Sequence, residues 1–232
     1  MEHNQIQDFN DVVISDFDLI YPNSTVIYKT WNIHDNYEDT YKDMLLHGYG
    51  GNIWNMIIRR SLLMNNCIRF PEHLRHCEDV YFAYRLFLST EKVVKVNKVF
   101  YHYNLSNPKQ VSNNLDERFN NCCRQHLDEI TEYMKERHVY DKYKKEILWL
   151  VLQTKTDFVF HPEKYELFNN WRPEANKHIW GCDLLGWRMK VMMLIISWKY
   201  YYLASIIRMF EINRFKFSHT KNHDSKHHYY KL

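Results

Sequence analysis

The amino-acid sequence predicts an α/β fold, with strands in the first half of the chain and helices in the second. Three observations carry this expectation. Asp11–Tyr21 (DVVISDFDLIY) opens with an unbroken apolar run bounded by polar residues, as a buried strand does. Val93–Tyr103 (VVKVNKVFYHY) alternates or runs apolar like one or two further strands. Leu115–His138 and Asp141–Phe160 are charged and aromatic over helical lengths, and Pro162 ends the second.

The shorter elements follow in order. Met1–Asn10 reads as the polar end of a helix. Pro22-Asn23-Ser24 makes a turn, after which the β-prone Thr25–Trp31 is placed to pair back as a hairpin. Asp35–His47 sets apolar residues at helical spacing and stops at Gly48-Tyr49-Gly50-Gly51, where three of the five glycines sit. Asn52–Arg60 (NIWNMIIRR) is apolar and then basic, like a strand reaching a surface, and Ser61 is positioned to cap a short helix over Leu62–Asn66. Glu78-Asp79 heads a helix whose Val80, Ala83, Tyr84 and Phe87 share one face. At that N-terminus the macrodipole favours the charged carboxylates. A polar loop with Pro108 fills Asn104–Asn114, and no internal repeat is present.

With 232 residues, 45% hydrophobic and 16% aromatic, the chain can bury a sizeable core, which excludes disorder throughout. Its 18 Tyr and 7 Trp combine apolar area with a polar tip, suiting sugar-facing or membrane-facing surfaces as well as a tyrosine-rich core. A net charge of +3 is too small to argue for nucleic acid, but its distribution is informative. Residues 172–232 hold 11 Lys/Arg and 4 Asp/Glu, against 20 and 24 in the first 171. An acidic globule with a basic, apolar tail suits a protein resting on an anionic membrane. Five cysteines without a CxxC spacing support neither a disulfide framework nor a zinc ribbon, and they point to a reducing, cytosolic setting. Met1–Gln5 has no positive stretch and no apolar run after it, so no secretory signal is expected.

The segment Asp183–Phe217 differs in kind. Its apolar run Val191–Ile207 is 17 residues long, is interrupted by Lys199, and is surrounded by Trp187, Trp198 and Tyr200–Tyr202. A spanning helix needs about 20 apolar residues, so this run either lies in a membrane interface or packs against the body. The terminal His219, His223, His227 and His228 sit among basic and polar residues, which favours a disordered tail over a structural metal site.

From Trp54 onward a set of motifs occurs in a fixed order. It runs Trp54-Asn55, Arg59-Arg60, Ile68-x-Phe70-Pro71, Glu78-Asp79 and Tyr101-x-Tyr103, with Gln110-Val111-Ser112 just after. The set, spread over about fifty residues, resembles the second half of bacterial family 2 glycosyltransferases of the capsule and O-antigen type. Asp11–Tyr21 is similar to the strand that follows the metal site there, so the likeness covers roughly residues 1–115.

The resemblance implies an incomplete GT-A-like mixed sheet over residues 1–113, and the residue patterns after it point to a helical region over 114–182, membrane-associating helices over 183–217 and a disordered tail over 218–232. It also implies that Asp79 is the general base. An acceptor hydroxyl has a pKa far above 7, so a carboxylate within hydrogen-bond reach must take its proton as the bond to the anomeric carbon forms. Glu78 then orients the acceptor or Asp79; without the surrounding motifs, the pair reads as a helix cap. Trp54 is either a stacking wall for a sugar ring or a core residue, and Asn55 either binds sugar hydroxyls or closes a turn. Arg59 and Arg60 neutralise a diphosphate or a lipid headgroup, or form a solvated basic pair. His102 touches the metal or the diphosphate, or is a satisfied strand histidine.

In this family a nucleotide-binding half holds Mg²⁺ or Mn²⁺ on the donor diphosphate through an Asp-x-Asp strand end. No such half precedes Met1, so the expectation is a chain inactive alone, or one completed by a separate chain. Asp16-Phe17-Asp18 has the Asp-x-Asp form, but it stands only 63 positions before Asp79 with too little chain ahead for a nucleotide pocket. The implied activity is inverting transfer of a sugar from a nucleotide-sugar donor to a glycan or lipid-linked acceptor. It would take place at the cytoplasmic face of the inner membrane, without nucleic acid. A non-catalytic remnant and a membrane-peripheral adaptor are the alternatives.

Overall fold

The computed structural model describes residues 10–22, 24–28, 33–47, 52–105 and 117–209. It divides into two compact units, Met1–Cys122 and Cys123–Leu232. The first is mixed α/β and the second is helical.

The first unit is organised by β1 (Val12–Tyr21), which is buried from Ile14 to Asp18. Along one side it carries two antiparallel partners in succession. The strand β2 (Ser24–Tyr28) folds back with Tyr21 opposite Ser24, and β3 (Met56–Ile58) pairs Met56 with Ile14. On its other side β4 (Val93–Asn104) runs parallel from Val12↔Val93 to Ile20↔Asn104, with the register shifting around Asp16. Those bulges take up the extra length of β4 and leave Asn97, Lys98 and Phe100 exposed.

The helices of this unit are α1 (Tyr37–His47), α2 (Arg60–Asn65) and α3 (Glu78–Phe87). Tyrosine hydroxyls zip α1 and α3 together antiparallel. Tyr37 donates to the Phe87 carbonyl at 2.7 Å, Tyr41 to the Tyr84 carbonyl at 3.1 Å, and Tyr84 to the Leu45 carbonyl at 3.5 Å. Each accepting carbonyl lies in the last turn of its helix, where intrahelical partners run out, although the Tyr84 carbonyl also accepts the Leu88 N–H at 3.2 Å. Tyr41, Met44, Leu45, Ala83, Leu86 and Phe87 form the core beneath them.

In the second unit α4 (Glu117–Glu136) leads into α5 (Tyr140–Val159), the most deeply buried of the described helices. Pro162 opens a 3-10 turn, followed by α6 (Tyr165–Asn170), a second 3-10 turn at Pro173–His178 and α7 (Trp187–Ser197). Residues 201–209 are also helical. A partly buried polar cluster ties these pieces together. The Arg172 guanidinium bonds to Asp128 (3.2 Å), Thr131 Oγ1 (3.1 Å) and Glu174 (2.6 Å). Fully buried Lys155 donates from Nζ to the Arg172 carbonyl (3.1 Å) and to Asn176 Oδ1 (2.8 Å), with the Phe168 ring 4.8 Å away. Burial pushes the Lys155 amine down to about 7, with Glu174 opposing and Arg172 adding to the shift.

The strand at Asp11–Tyr21, the hairpin partner after Pro22, the helix before His47, the Glu78-Asp79 helix and both long helices are where the sequence places them. Four details differ. Trp54 and Asn55 lie in a 3-10 turn, so the expected strand shrinks to Met56–Ile58. Ser61 is inside α2, whose cap is Arg59 without a side-chain bond. Val80 is only partly buried, and Phe82 and Leu86 join the inner face of α3 instead. The run Val191–Ile207 is broken: α7 ends at Ser197 and Lys199 takes a left-handed conformation, φ 63°. There Lys199 N–H bonds the Ile196 carbonyl and Tyr200 N–H the Ile195 carbonyl, a Schellman closure.

Among the described residues no helix is long and apolar enough to cross a membrane. The expectations for residues 1–9, Lys29–Trp31, the clustered glycines, residues 106–114, residues 210–217 and the tail histidines lie outside the described residues.

Candidate functional site

Glu78 and Asp79 occupy the first turn of α3, preceded by Cys77 in a left-handed conformation, φ 61°. Cys77 makes no side-chain cap, but Asp79 Oδ1 accepts the Val80 N–H at 2.8 Å. Asp79 is partly buried, and no cation pairs with it among the described residues. Burial pushes its carboxyl up from the ordinary 3.8 to about 6. The Val80 bond pulls against this, and the neighbouring Glu78 charge adds to it. The direction opposes the one expected from the helix N-terminus alone: desolvation outweighs the dipole at this carboxylate. At neutral pH the group is mainly ionised yet basic enough to accept a proton, the balance a general base requires.

The two faces of the sheet carry the remaining candidates. On one face Trp54 meets Phe17 edge-on (centroids 4.7 Å), with Tyr101 at 4.4 Å and Tyr103 at 5.3 Å. Trp54 is therefore partly a packing residue, with Tyr101 itself exposed. Asn55 is buried beside it, donating to the Ser15 carbonyl at 2.8 Å while the Ser15 hydroxyl donates to the Asn55 carbonyl at 3.2 Å. These bonds hold the turn that presents Trp54.

The opposite face holds Asp16 and Asp18. Asp16 pairs with Lys95 at 3.2 Å, and Asp18 receives His102 Nδ1 at 2.7 Å. Each carboxylate of the Asp-x-Asp is thus turned to a nitrogen of β4. The described residues contain no group of three or more His, Cys, Asp or Glu side chains able to enclose a metal ion. His102 is fixed through Nδ1, with its ring largely in solvent. Arg59 pairs with Asp11 at 3.0 Å and donates to the Asn10 carbonyl at 3.1 Å, so it anchors the start of β1. Arg60 is exposed as the first residue of α2.

The structure thus brings Trp54 and Asn55 together at one sheet face and places Glu78 and Asp79 at the head of α3. It separates Arg59, occupied with Asp11, from His102, occupied with Asp18. Phe17, Tyr101 and Tyr103 complete the surroundings of Trp54, and only the Tyr-x-Tyr spacing signals them in the sequence. Compared with protein-family models, with curated proteins and with solved structures, the chain finds no match.

Proposed function

We propose that this chain is the acceptor-side portion of a family 2 glycosyltransferase, and that Asp79 is its general base. The observation that carries the reading is a partly buried carboxylate at the head of α3, without a cationic partner among the described residues, raised to about 6. The ordered motifs from Trp54 to Tyr103 supply the reaction class.

In the reaction so read, Asp79 takes the proton of the acceptor hydroxyl as that oxygen bonds to the anomeric carbon of the donor. The bond to the nucleoside diphosphate breaks on the opposite side, giving inversion. Glu78 orients the acceptor, and Trp54, backed by Tyr101 and Tyr103, offers a partly exposed aromatic edge to it. A divalent metal in the complete enzyme would offset the charge of the leaving diphosphate. The carboxylates of this chain that have the Asp-x-Asp form are both engaged by β4, so the metal ligands and the nucleotide pocket are assigned to a partner segment. In the same reading the protein is peripheral on the cytoplasmic face of the inner membrane, seated through residues 183–217.

The test is complementation. The purified chain alone should release no nucleoside diphosphate from a panel of nucleotide sugars. Combined with a segment that supplies an apolar strand and an Asp-x-Asp, it should do so in an acceptor-dependent manner. In that completed enzyme Asp79→Asn should lower kcat by about a hundredfold or more, the usual scale of general-base loss, with KM little changed. Full turnover by Asp79→Asn, or turnover by the chain alone, would end the proposal.

A further inference from the structure

The helix α7 carries apolar side chains on two opposite faces, with Arg188 and Lys190 on the flanks between them. At about 100° per residue, Met192, Met193 and Ile196 fall on one face, and all three are buried. Trp187, Val191 and Trp198 fall on the opposite face, and they are exposed, the two tryptophans at 67% and 63%. The inner face packs against α5 and α6. An apolar stripe on the outer face as well as the inner one is suited to cover on both sides, and among the described residues the outer stripe is exposed.

The next helical stretch repeats the pattern. Over 201–209 Ala204 is buried while Tyr202, at 83% exposure, Leu203 and Met209 face outward. The Schellman turn at Lys199 joins the two stretches, with exposed Trp198 and Tyr200 flanking it. The exposed apolar stripes of both helices are therefore edged by Trp and Tyr, the side chains that pair an apolar body with a polar tip.

The charge around them identifies the cover. Between Asp183 and Glu211 the sequence has no Asp or Glu, but it has Arg188, Lys190, Lys199 and Arg208. Arg188 lies against the Trp187 ring at 5.4 Å, and neither it nor Lys199 forms an ion pair among the described residues. A second copy of this surface would set like charges against each other. An anionic lipid surface supplies both an apolar layer for the stripes and the opposite charge for the cations. Because neither stretch is long and apolar enough to span, the fit is a shallow one, with the helices lying in the plane of the interface.

We propose that the outward faces of α7 and of residues 201–209 form an anionic-bilayer contact, anchored by Trp187 and Trp198 and steered by Arg188 and Lys199. This deepens the peripheral seat proposed for residues 183–217 and does not depend on the chemistry at Asp79.

Flotation of the full chain with vesicles of phosphatidylcholine, or of phosphatidylcholine mixed with phosphatidylglycerol, tests it. Binding is expected to the mixed vesicles, with bromine-labelled acyl chains quenching tryptophan emission. Trp187→Ala with Trp198→Ala should weaken the partition by about tenfold or more, and Arg188→Glu with Lys199→Glu should remove the preference for the anionic vesicles. These side chains are exposed, so circular dichroism should be unchanged. If either variant fails to fold, the bromolipid quenching of the unaltered chain decides. Asp79→Asn should bind vesicles like the unaltered chain, so failure of the base assignment and failure of the membrane contact are read separately. Absence of the chain from the anionic vesicle fraction, equal partition by the tryptophan variant, or self-association through these residues without lipid binding would overturn the proposal.

Discussion

Each unit holds a carboxyl or amine, a group ordinarily charged at neutral pH, that burial drives toward neutrality, and the two are resolved differently. Lys155 in α5 is pushed down to about 7, and Asp79 at the head of α3 is pushed up to about 6. Lys155 is fully buried, but two acceptors and the face of Phe168 surround its amine. A neutral amine has two N–H donors for those two acceptors, and the third proton of the ammonium is accommodated by the ring. Asp79 is only partly buried, and apart from backbone N–H groups nothing among the described residues offsets its charge. Perturbation by itself therefore does not mark a reactive group; what distinguishes Asp79 is that its perturbation is left uncompensated.

The largest expected effect is at Lys155. Its value when folded lies below the ordinary 10.5, so between about pH 7 and 10 the unfolded chain binds more protons. Stability should rise with pH across that window, by on the order of 3 kcal/mol, and the Lys155 contribution should be flat below it. Lys155→Ala removes both hydrogen bonds and leaves a cavity, and it should cost about 3 kcal/mol at neutral pH. Lys155→Met keeps the volume, removes the desolvation penalty and should cost less. Urea unfolding of the three proteins between pH 6 and 10 checks this. A pH-independent midpoint for the unaltered chain would show that its amine is not held near 7.

Asp79 should show the opposite slope and a smaller amplitude. Its value when folded is raised, so between about pH 4 and 6 the folded chain binds more protons and stability falls as pH rises. Asp79→Asn keeps the acceptor for the Val80 N–H and removes the buried charge. With allowance for partial exposure, it should stabilise the chain by about 1–2 kcal/mol at pH 7 and abolish that slope. A gain in stability paired with a loss of turnover is the signature of a group kept for chemistry. Destabilisation by Asp79→Asn would place this carboxylate with Lys155, among groups retained for structure.

The contrast between the units was only half visible in the sequence. Element types were legible wherever a long pattern repeated, as in Asp11–Tyr21, Glu78–Phe87 and the two 20-residue helices. The Glu78-Asp79 pair was legible too, but the direction of the Asp79 shift was not, because desolvation depends on distant chain folding over the carboxylate. Lys155 reads in sequence as a polar interruption of LWLVLQTKTDFVF, at the spacing of an inward stripe. Its acceptors, Arg172 and Asn176, stand 17 and 21 residues away.

Two backbone features were hidden for a related reason. The bulges in β4 put Tyr101 and Tyr103 on the face of Phe17 and Trp54, opposite the Lys95–Asp16 pair. Strict alternation would have set the tyrosines and Lys95 on one face. The Schellman turns after α2, α4 and α7 use Cys67, His138 and Lys199 at the left-handed position. Without glycine there, the usual signal for a helix end is missing.

The smallest expected effect sharpens the comparison from a third carboxylate. Asp18 is as buried as many core side chains, yet it contacts His102, whose ring is largely in solvent. Asp18→Asn still offers an acceptor to Nδ1, and water can solvate whatever charge the imidazole carries. The substitution should therefore shift stability by about 0.5 kcal/mol or less, within the range of an exposed ion pair. If Asp16 and Asp18 instead held a divalent ion, Mn²⁺ would stabilise the unaltered chain in thermal melts and leave Asp18→Asn unmoved. With both carboxylates already engaged by β4, Mn²⁺ should shift neither protein. A metal-dependent rise in Tm confined to the unaltered chain would make the Asp-x-Asp a metal site and weaken the assignment of the metal to a partner segment.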